Sequence, residues 1–184
     1  ETLKIQVKRA EVSSPSVDFA YMENDTLGYI KITKFGKNTF KQFKKELVKM
    51  ISEGMNSLIL DLRDNGGGYL TDATKMADEF LSTPDLIVFT QGKEAKYNER
   101  FEATSGGDFL EGAITVLINE NTASASEIVS GALQDNDRAV LIGRRTFGKG
   151  LVQRPFQLGD GSSIRLTISR YYTPSGRCLS LIHI

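Results

Sequence analysis

The 184-residue chain has no tryptophan, one cysteine and one histidine, and these shortages remove whole classes of chemistry. Cys178 alone cannot close an internal disulfide, and no Cys/His cluster has zinc-ligand spacing. No staple is required, because a chain of this length buries most of the surface that its unfolded form exposes. The lone cysteine leaves the redox compartment undecided. His183 stands next to last, and chain ends are usually too poorly ordered to hold a base within reach of a nucleophile. Ser–His–Asp and Cys–His mechanisms are therefore set aside. Any nucleophilic reaction would need lysine or a carboxylate as its base.

An excess of charge of either sign is also missing, since 23 basic residues balance 23 acidic ones. Nucleic-acid binding would call for clustered Lys and Arg, and the basic residues here are dispersed. The densest group, Lys41, Lys44, Lys45 and Lys49, interleaves with Phe40, Phe43, Leu47 and Met50 at helical spacing and reads as a solvated helix face. No apolar run approaches the ~18 residues of a membrane-spanning helix. With 40% hydrophobic and 25% charged residues, the composition is that of a soluble globular domain. No signal peptide follows Glu1, so the chain reads as a mature segment or a piece of a longer protein.

The hydrophobic periodicity is that of an α/β chain. Residues 3–12 alternate apolar and polar as a half-buried strand does. Ser13-Ser14-Pro15-Ser16 then breaks the pattern, which suits a domain boundary. Beyond it the spacing predicts a strand at 26–33, a helix at 39–53 stopped by Gly54, and the apolar strand 57–62. A helix at 69–81 follows, then strands at 85–90 and 113–118, a helix at 125–135 and a strand at 139–142. Residues 151–172 read as strands around the turn Gly159-Asp160-Gly161. The polar stretch 91–112, with Gly106-Gly107, reads as a surface excursion.

Three stretches could carry chemistry. In the first, Ile114 to Val129 has the form strand, short turn, helix, with Ser124 at the helix entrance. There the N–H of Ala125 could stabilise an oxyanion, although Ser124-x-x-Glu127 is equally the pattern of a capping box. In the second, Asp61-Leu-Arg-Asp-Asn-Gly66-Gly67-Gly68 runs from a strand into three glycines. Such a turn either presents amides to an anion or simply needs positive φ. In the third, Gly143-Arg-Arg-Thr-Phe-Gly148-Lys149-Gly150 nearly spells a phosphate-binding loop. Position 150 is glycine where that loop has a hydroxyl, and the residues that follow are strand-like where it needs a helix.

In this order, Asp-Leu-Arg-x-Asn-Gly-Gly-Gly, Ser124-Ala-Ser-Glu-Ile and Thr-Phe-Gly-Lys149-Gly with Gln153 resemble the carboxyl-terminal processing (tail-specific) peptidases, S41-type serine proteases. The resemblance covers about residues 20–176, including Tyr171-Tyr-Thr-Pro-Ser-Gly176. It implies an α/β core of the Clp-protease/crotonase type, built of repeated β-β-α units. Residues 1–13 would then be the terminal strand and linker of an otherwise absent PDZ domain, with the catalytic domain at 14–177 and an atypical tail at 178–184. It also implies an endopeptidase cutting proteins near their C-terminus through an acyl-enzyme. Ser124 would be the nucleophile, Lys149 the base and Gln153 the partner that holds it, with oxyanion donors from Ala125 and from Gly67 or Gly68. No cofactor, metal or nucleic acid is called for. Substrates would be proteins or peptides with C-terminal tails, the location the cell envelope, periplasmic or otherwise exported, and self-association is left open. Cys178 and His183 receive no catalytic role. The alternatives are a non-catalytic member of the fold that binds peptides or apolar ligands and, more remotely, a phosphate- or nucleotide-binding enzyme.

Overall fold

The computed structural model describes residues 15–179, together with Leu3, Ile5 and Lys8. In chain order the elements are β1 (Val17–Met22), β2 (Leu27–Ile32), α1 (Thr39–Ser52), β3 (Ser57–Asp61), α2 (Leu70–Asp78), β4 (Leu86–Gly92) and a 3-10 turn (Ala95–Tyr97). They continue with β5 (Arg100–Glu102), β6 (Ala113–Ile118), α3 (Ala125–Asp135), β7 (Val140–Gly143), β8 (Leu151–Gln157) and β9 (Ser163–Tyr172). Two sheets result, one of order β1-β2-β3-β6-β7 and one of order β5-β4-β9-β8. In the first, β2, β3, β6 and β7 are mutually parallel and β1 is antiparallel at the edge.

Parallel neighbours need crossover connections, and helices supply them. Phe43, Leu47 and Met50 recur along α1 at helical spacing and are buried. Ala73, Met76 and Ala77 of α2 and Val129, Ala132 and Leu133 of α3 are buried as well. Alternate residues of the strands, Ile30, Ile32, Leu58, Leu60, Val116 and Ile118, join them in one core. Each of the larger side chains among them contributes about 1.5–3 kcal/mol by leaving water. The sheet's other face is more open: Phe19, Tyr21, Val140 and Ile142 are exposed. That face also carries one buried acid, Asp61, which accepts the Tyr29 hydroxyl at 2.6 Å and Arg63 Nη2 at 2.6 Å. Burial, reinforced by the hydrogen bond to Asp61, pushes the Tyr29 phenol up to about 12. Among the described residues no helix is long and apolar enough to cross a membrane.

The structure departs from the sequence reading in four places. β1 was not legible, because a register shift between Val17 and Phe19 breaks the period-two pattern. The stretch 91–112 is not merely a surface excursion: β5 pairs with β4, and Phe109 is buried. Lys44 is not simply solvated, since its Nζ lies 2.5 Å from the buried Glu79 carboxylate and 2.8 Å from Asp108. Finally, packing continues through the start of the expected tail, where Leu179 enters the core and Cys178 bridges to Tyr172. The predicted strand at 3–12 and residue His183 lie outside the described residues, apart from Leu3, Ile5 and Lys8.

At the C-terminal end of α3, Asp135 is nearly buried and closes the turn that follows β9. It accepts the Ser175 N–H at 3.0 Å and the Ser175 hydroxyl at 2.6 Å, and it pairs with Arg177. Burial opposes its charge, but the bonds from Ser175 and Thr173, with Arg177, outweigh it and hold the carboxyl below its usual range. Asp61 is held low in the same way, with Arg63 and Tyr29 overcoming burial. A depressed folded-state pKa stabilises fully above the unfolded value of about 3.9 and is lost as pH falls through the folded value. Urea midpoints should therefore drop below about pH 4. Asp135→Ala should cost about 3 kcal/mol at pH 7, and its deficit against the parent should shrink in acid, as paired unfolding curves at pH 7 and pH 3 would show.

Candidate active site

Adjacent parallel strands deliver their following loops to one end of a sheet, where ligand crevices of α/β proteins form. Here β3, β6 and β7 are neighbours and run in the same direction. The glycine turn follows β3, the Ser124 turn follows β6, and the Gly-Lys-Gly loop follows β7. Three motifs far apart in sequence thus meet.

The glycine turn is pinned by Asn65, which is fully buried. Its Nδ2 donates to the Ile32 carbonyl at 2.9 Å, and its Oδ1 accepts the Gly67 N–H at 2.9 Å. Its own carbonyl accepts the Ala123 N–H at 2.9 Å and the Ser126 hydroxyl at 3.0 Å. Gly67 has φ +94°, and a Cβ there would lie 2.6 Å from the Ala123 oxygen, 2.8 Å from Ser124 Cβ and 2.9 Å from the Ala125 nitrogen. Only glycine lets this backbone lie against the serine turn. Gly68 bridges to Phe35, whose carbonyl a Cβ would strike. The bridge uses the Gly67 carbonyl and the Tyr69 N–H, which leaves the Gly68 N–H unpartnered among the described residues.

Ser124 is half-buried at the N-cap of α3, with φ +58° and ψ −114°. An ordinary cap residue takes an extended conformation, and a non-glycine residue held at this one costs about 1–3 kcal/mol. Strained strand-to-helix turns of this kind present nucleophiles. Next to it Ala125 is the first helical residue, so its N–H has no partner within the helix.

Glu127 is fully buried one turn along α3. Its Oε2 accepts the Ser124 N–H at 2.7 Å and the Lys149 N–H at 2.8 Å. Its Oε1 accepts the Gly148 N–H at 2.6 Å and the Thr146 hydroxyl at 2.8 Å. One carboxylate thus bolts the lysine loop to the serine turn. The sequence disclosed Glu127 only as a capping partner, and it gave Asn65 and Thr146 no role. A buried polar residue that answers to distant loops leaves no local periodicity to read.

The side chains of Lys149 and Gln153 are exposed. The Lys149 ammonium makes no hydrogen bond among the described residues. Gln153 lies on β8 opposite Thr167 of β9. Strand β8 follows the lysine directly, so the helix that a phosphate-binding loop requires is absent there.

Residues 26–184 match peptidase family S41. The carboxyl-terminal-processing protease of Synechocystis sp. is 40% identical over 151 residues, which are 81% of this chain and 34% of that protein. The carboxy-terminal-processing protease of Bartonella bacilliformis is 39% identical over 186 residues, 99% of this chain and 42% of that one. Among solved structures, the photosystem II D1 C-terminal processing protease superposes with a TM-score of 0.81 at 33% identity, covering 86% of this chain and 40% of its own. The fold is therefore the Clp-like α/β architecture of the processing proteases. The chain belongs to peptidase family S41, and it spans about a third to two-fifths of the length of these curated relatives.

Glu127→Gln replaces one carboxylate oxygen by an amide donor facing N–H groups that are already donors. It should destabilise the fold by about 2–3 kcal/mol and speed amide hydrogen exchange at Gly148 and Lys149 more than in the core strands. Equal protection in parent and variant would contradict the role given to the carboxylate.

Proposed function

We propose that the chain is the catalytic core of a serine endopeptidase that cuts protein substrates near their C-terminus. Membership of family S41 supports hydrolysis, and the strained Ser124 turn beside free amides is the observation that carries the mechanism. Neutral Lys149 takes the proton from the Ser124 hydroxyl as Oγ attacks the scissile carbonyl; the lysine ammonium then gives that proton to the leaving amine as the C–N bond breaks, and water hydrolyses the resulting acyl-enzyme. The Ala125 and Gly68 amides hold the oxyanion. The Gly67 N–H is engaged by Asn65, so Gly67 serves by lacking a side chain. Gln153 is a neutral partner that can orient the amine without adding a negative charge beside it.

Lysine ionises near 10.4 in water, and only desolvation or nearby positive charge lowers that value. Because the Lys149 side chain is exposed, the covering must come from bound substrate or from the remainder of the protein. An upstream PDZ domain would capture C-terminal tails by β-augmentation and raise their concentration at the site. An exported, cell-envelope location fits such substrates. The exposure of Lys149 is also the observation that favours the rival reading, a peptide-binding member without catalysis.

Labelling with a fluorophosphonate probe, together with rates on an unstructured peptide with an apolar C-terminus, separates the two. Ser124→Ala should lose both labelling and hydrolysis. Ser126→Ala should cost about 1 kcal/mol of stability, since the buried Ser126 hydroxyl bonds the Asn65 carbonyl, yet it should still be labelled. Lys149→Arg should lower kcat/KM by about 10²–10⁴-fold, because guanidinium cannot accept the proton. The parent's rate should climb with pH into the alkaline range. An active Lys149→Arg protein would eliminate the Ser–Lys mechanism.

A further inference from the structure

Asn65-Gly66 is the one Asn-Gly pair in the sequence, and it opens the glycine turn. An asparagine followed by glycine is chemically labile, because no side chain shields the next backbone nitrogen from the asparagine carboxamide. The Gly66 nitrogen, on losing its proton, can attack Asn65 Cγ. The Cγ–Nδ2 bond then breaks, Nδ2 leaves with that proton as ammonia, and a five-membered succinimide remains. Water opens the ring at one carbonyl or the other and gives aspartate or isoaspartate.

The fold supplies the nucleophile and withholds the reaction. Gly66 is exposed, and its N–H makes no hydrogen bond among the described residues. A Cβ at position 66 would meet nothing within 4 Å, and the residue is not in the left-handed region, so packing does not demand glycine there. The carboxamide, by contrast, is not free to rotate. Asn65 is fully buried, with its Nδ2 on the Ile32 carbonyl at 2.9 Å and its Oδ1 on the Gly67 N–H at 2.9 Å. The peptide group that contains the Gly66 nitrogen is fixed as well, because its carbonyl accepts the Ala123 N–H at 2.9 Å and the Ser126 hydroxyl at 3.0 Å. The bonds to Ile32, Ala123 and Ser126 reach other segments of the chain, so they are lost together when the turn opens.

We propose that Asn65-Gly66 is a site of spontaneous deamidation that the folded turn holds shut and that opening of the turn releases. Either product damages the site. Aspartate would put a carboxylate oxygen where Nδ2 now donates to the Ile32 carbonyl, so two acceptors would face each other around a buried charge. Isoaspartate would insert one carbon into the main chain before Gly66 and turn the pinned carbonyl into a carboxylate. Gly67 lies directly against Ser124 and Ala125, so both changes displace the serine turn and the Gly68 amide. The loss of hydrolysis rests on the function proposed above; the modification does not.

The test incubates the intact protein in mildly alkaline buffer, with and without urea, and follows residue 65 by peptide mapping and isoaspartate methyltransferase labelling. Modification should be slower in native buffer than in urea by about a hundredfold or more, because only the open fraction reacts. Gly66→Ala should slow the reaction in urea by about tenfold, a comparison that does not depend on how the variant folds. After urea is removed, the parent's fluorophosphonate labelling and peptide hydrolysis should fall in step with the modified fraction. Gly66→Ala taken through the same cycle should keep a larger share of its own starting values. Asn65→Asp, the direct product, should lower kcat/KM by about 10²–10³-fold, as loss of an oxyanion donor does. Equal rates in buffer and urea would overturn the protection, no reaction in urea the site itself, and a fully active Asn65→Asp protein the consequence. If the parent is neither labelled nor active, the Ser124 reading fails while the modification is still decided by mass.

Discussion

The Glu127 carboxylate is the constraint on which the arrangement of the site depends. A buried carboxylate is costly unless every oxygen is satisfied. Here the partners are three backbone N–H groups and the Thr146 hydroxyl, with the positive end of α3 adding to them. No lysine or arginine pairs with it among the described residues. Because its partners sit on two different loops, satisfying one charge fixes the spacing between the serine turn and the lysine loop. Asn65 performs the matching task on the other side, joining the glycine turn to the serine turn through a single buried amide and its own carbonyl. The crevice is thus built from backbone held by two buried polar side chains.

Strands whose neighbours bury them were legible in the sequence. β3 and β6 are near-continuous apolar runs, β2 alternates with Ile30 and Ile32 turned to the core, and the helices show their spacing because only one face packs. Elements shaped by pairing alone were not. β1 carries a register irregularity, and the three-residue β5 is polar because it lies at the sheet edge, held by β4. The stretch between β5 and β6 looked like solvent-facing loop until Glu79 was seen to anchor it, through the Asp108 N–H at 2.9 Å and the Phe109 N–H at 3.0 Å.

The candidate site divides along the same line. Ser124, Lys149 and the glycines stand inside short motifs whose order carries the family resemblance, so the sequence alone points to them. Asn65 bonds Ser126 across 61 residues, and Glu127 bonds Gly148 and Lys149 across 21 and 22. Nothing local marks such a residue, and a buried glutamate near a helix start looks like a cap until its second set of partners is seen. Which of the Gly67 and Gly68 amides stays free was equally invisible, because it turns on which N–H the Asn65 side chain occupies.

The lysine loop is fastened through its main chain, and this separates two histories that usually run together. Glu127 reads the N–H groups of Gly148 and Lys149, which any residue but proline would offer. The Lys149 side chain therefore carries none of the scaffold's weight. A lineage could exchange that lysine for an inert side chain in one step and keep the crevice and the turn intact. With Lys149 as the base of the proposed mechanism, catalysis in such a fold is easily lost and the architecture is not. Descendants that bind without cutting would be expected to keep Glu127 and the glycines long after position 149 has drifted.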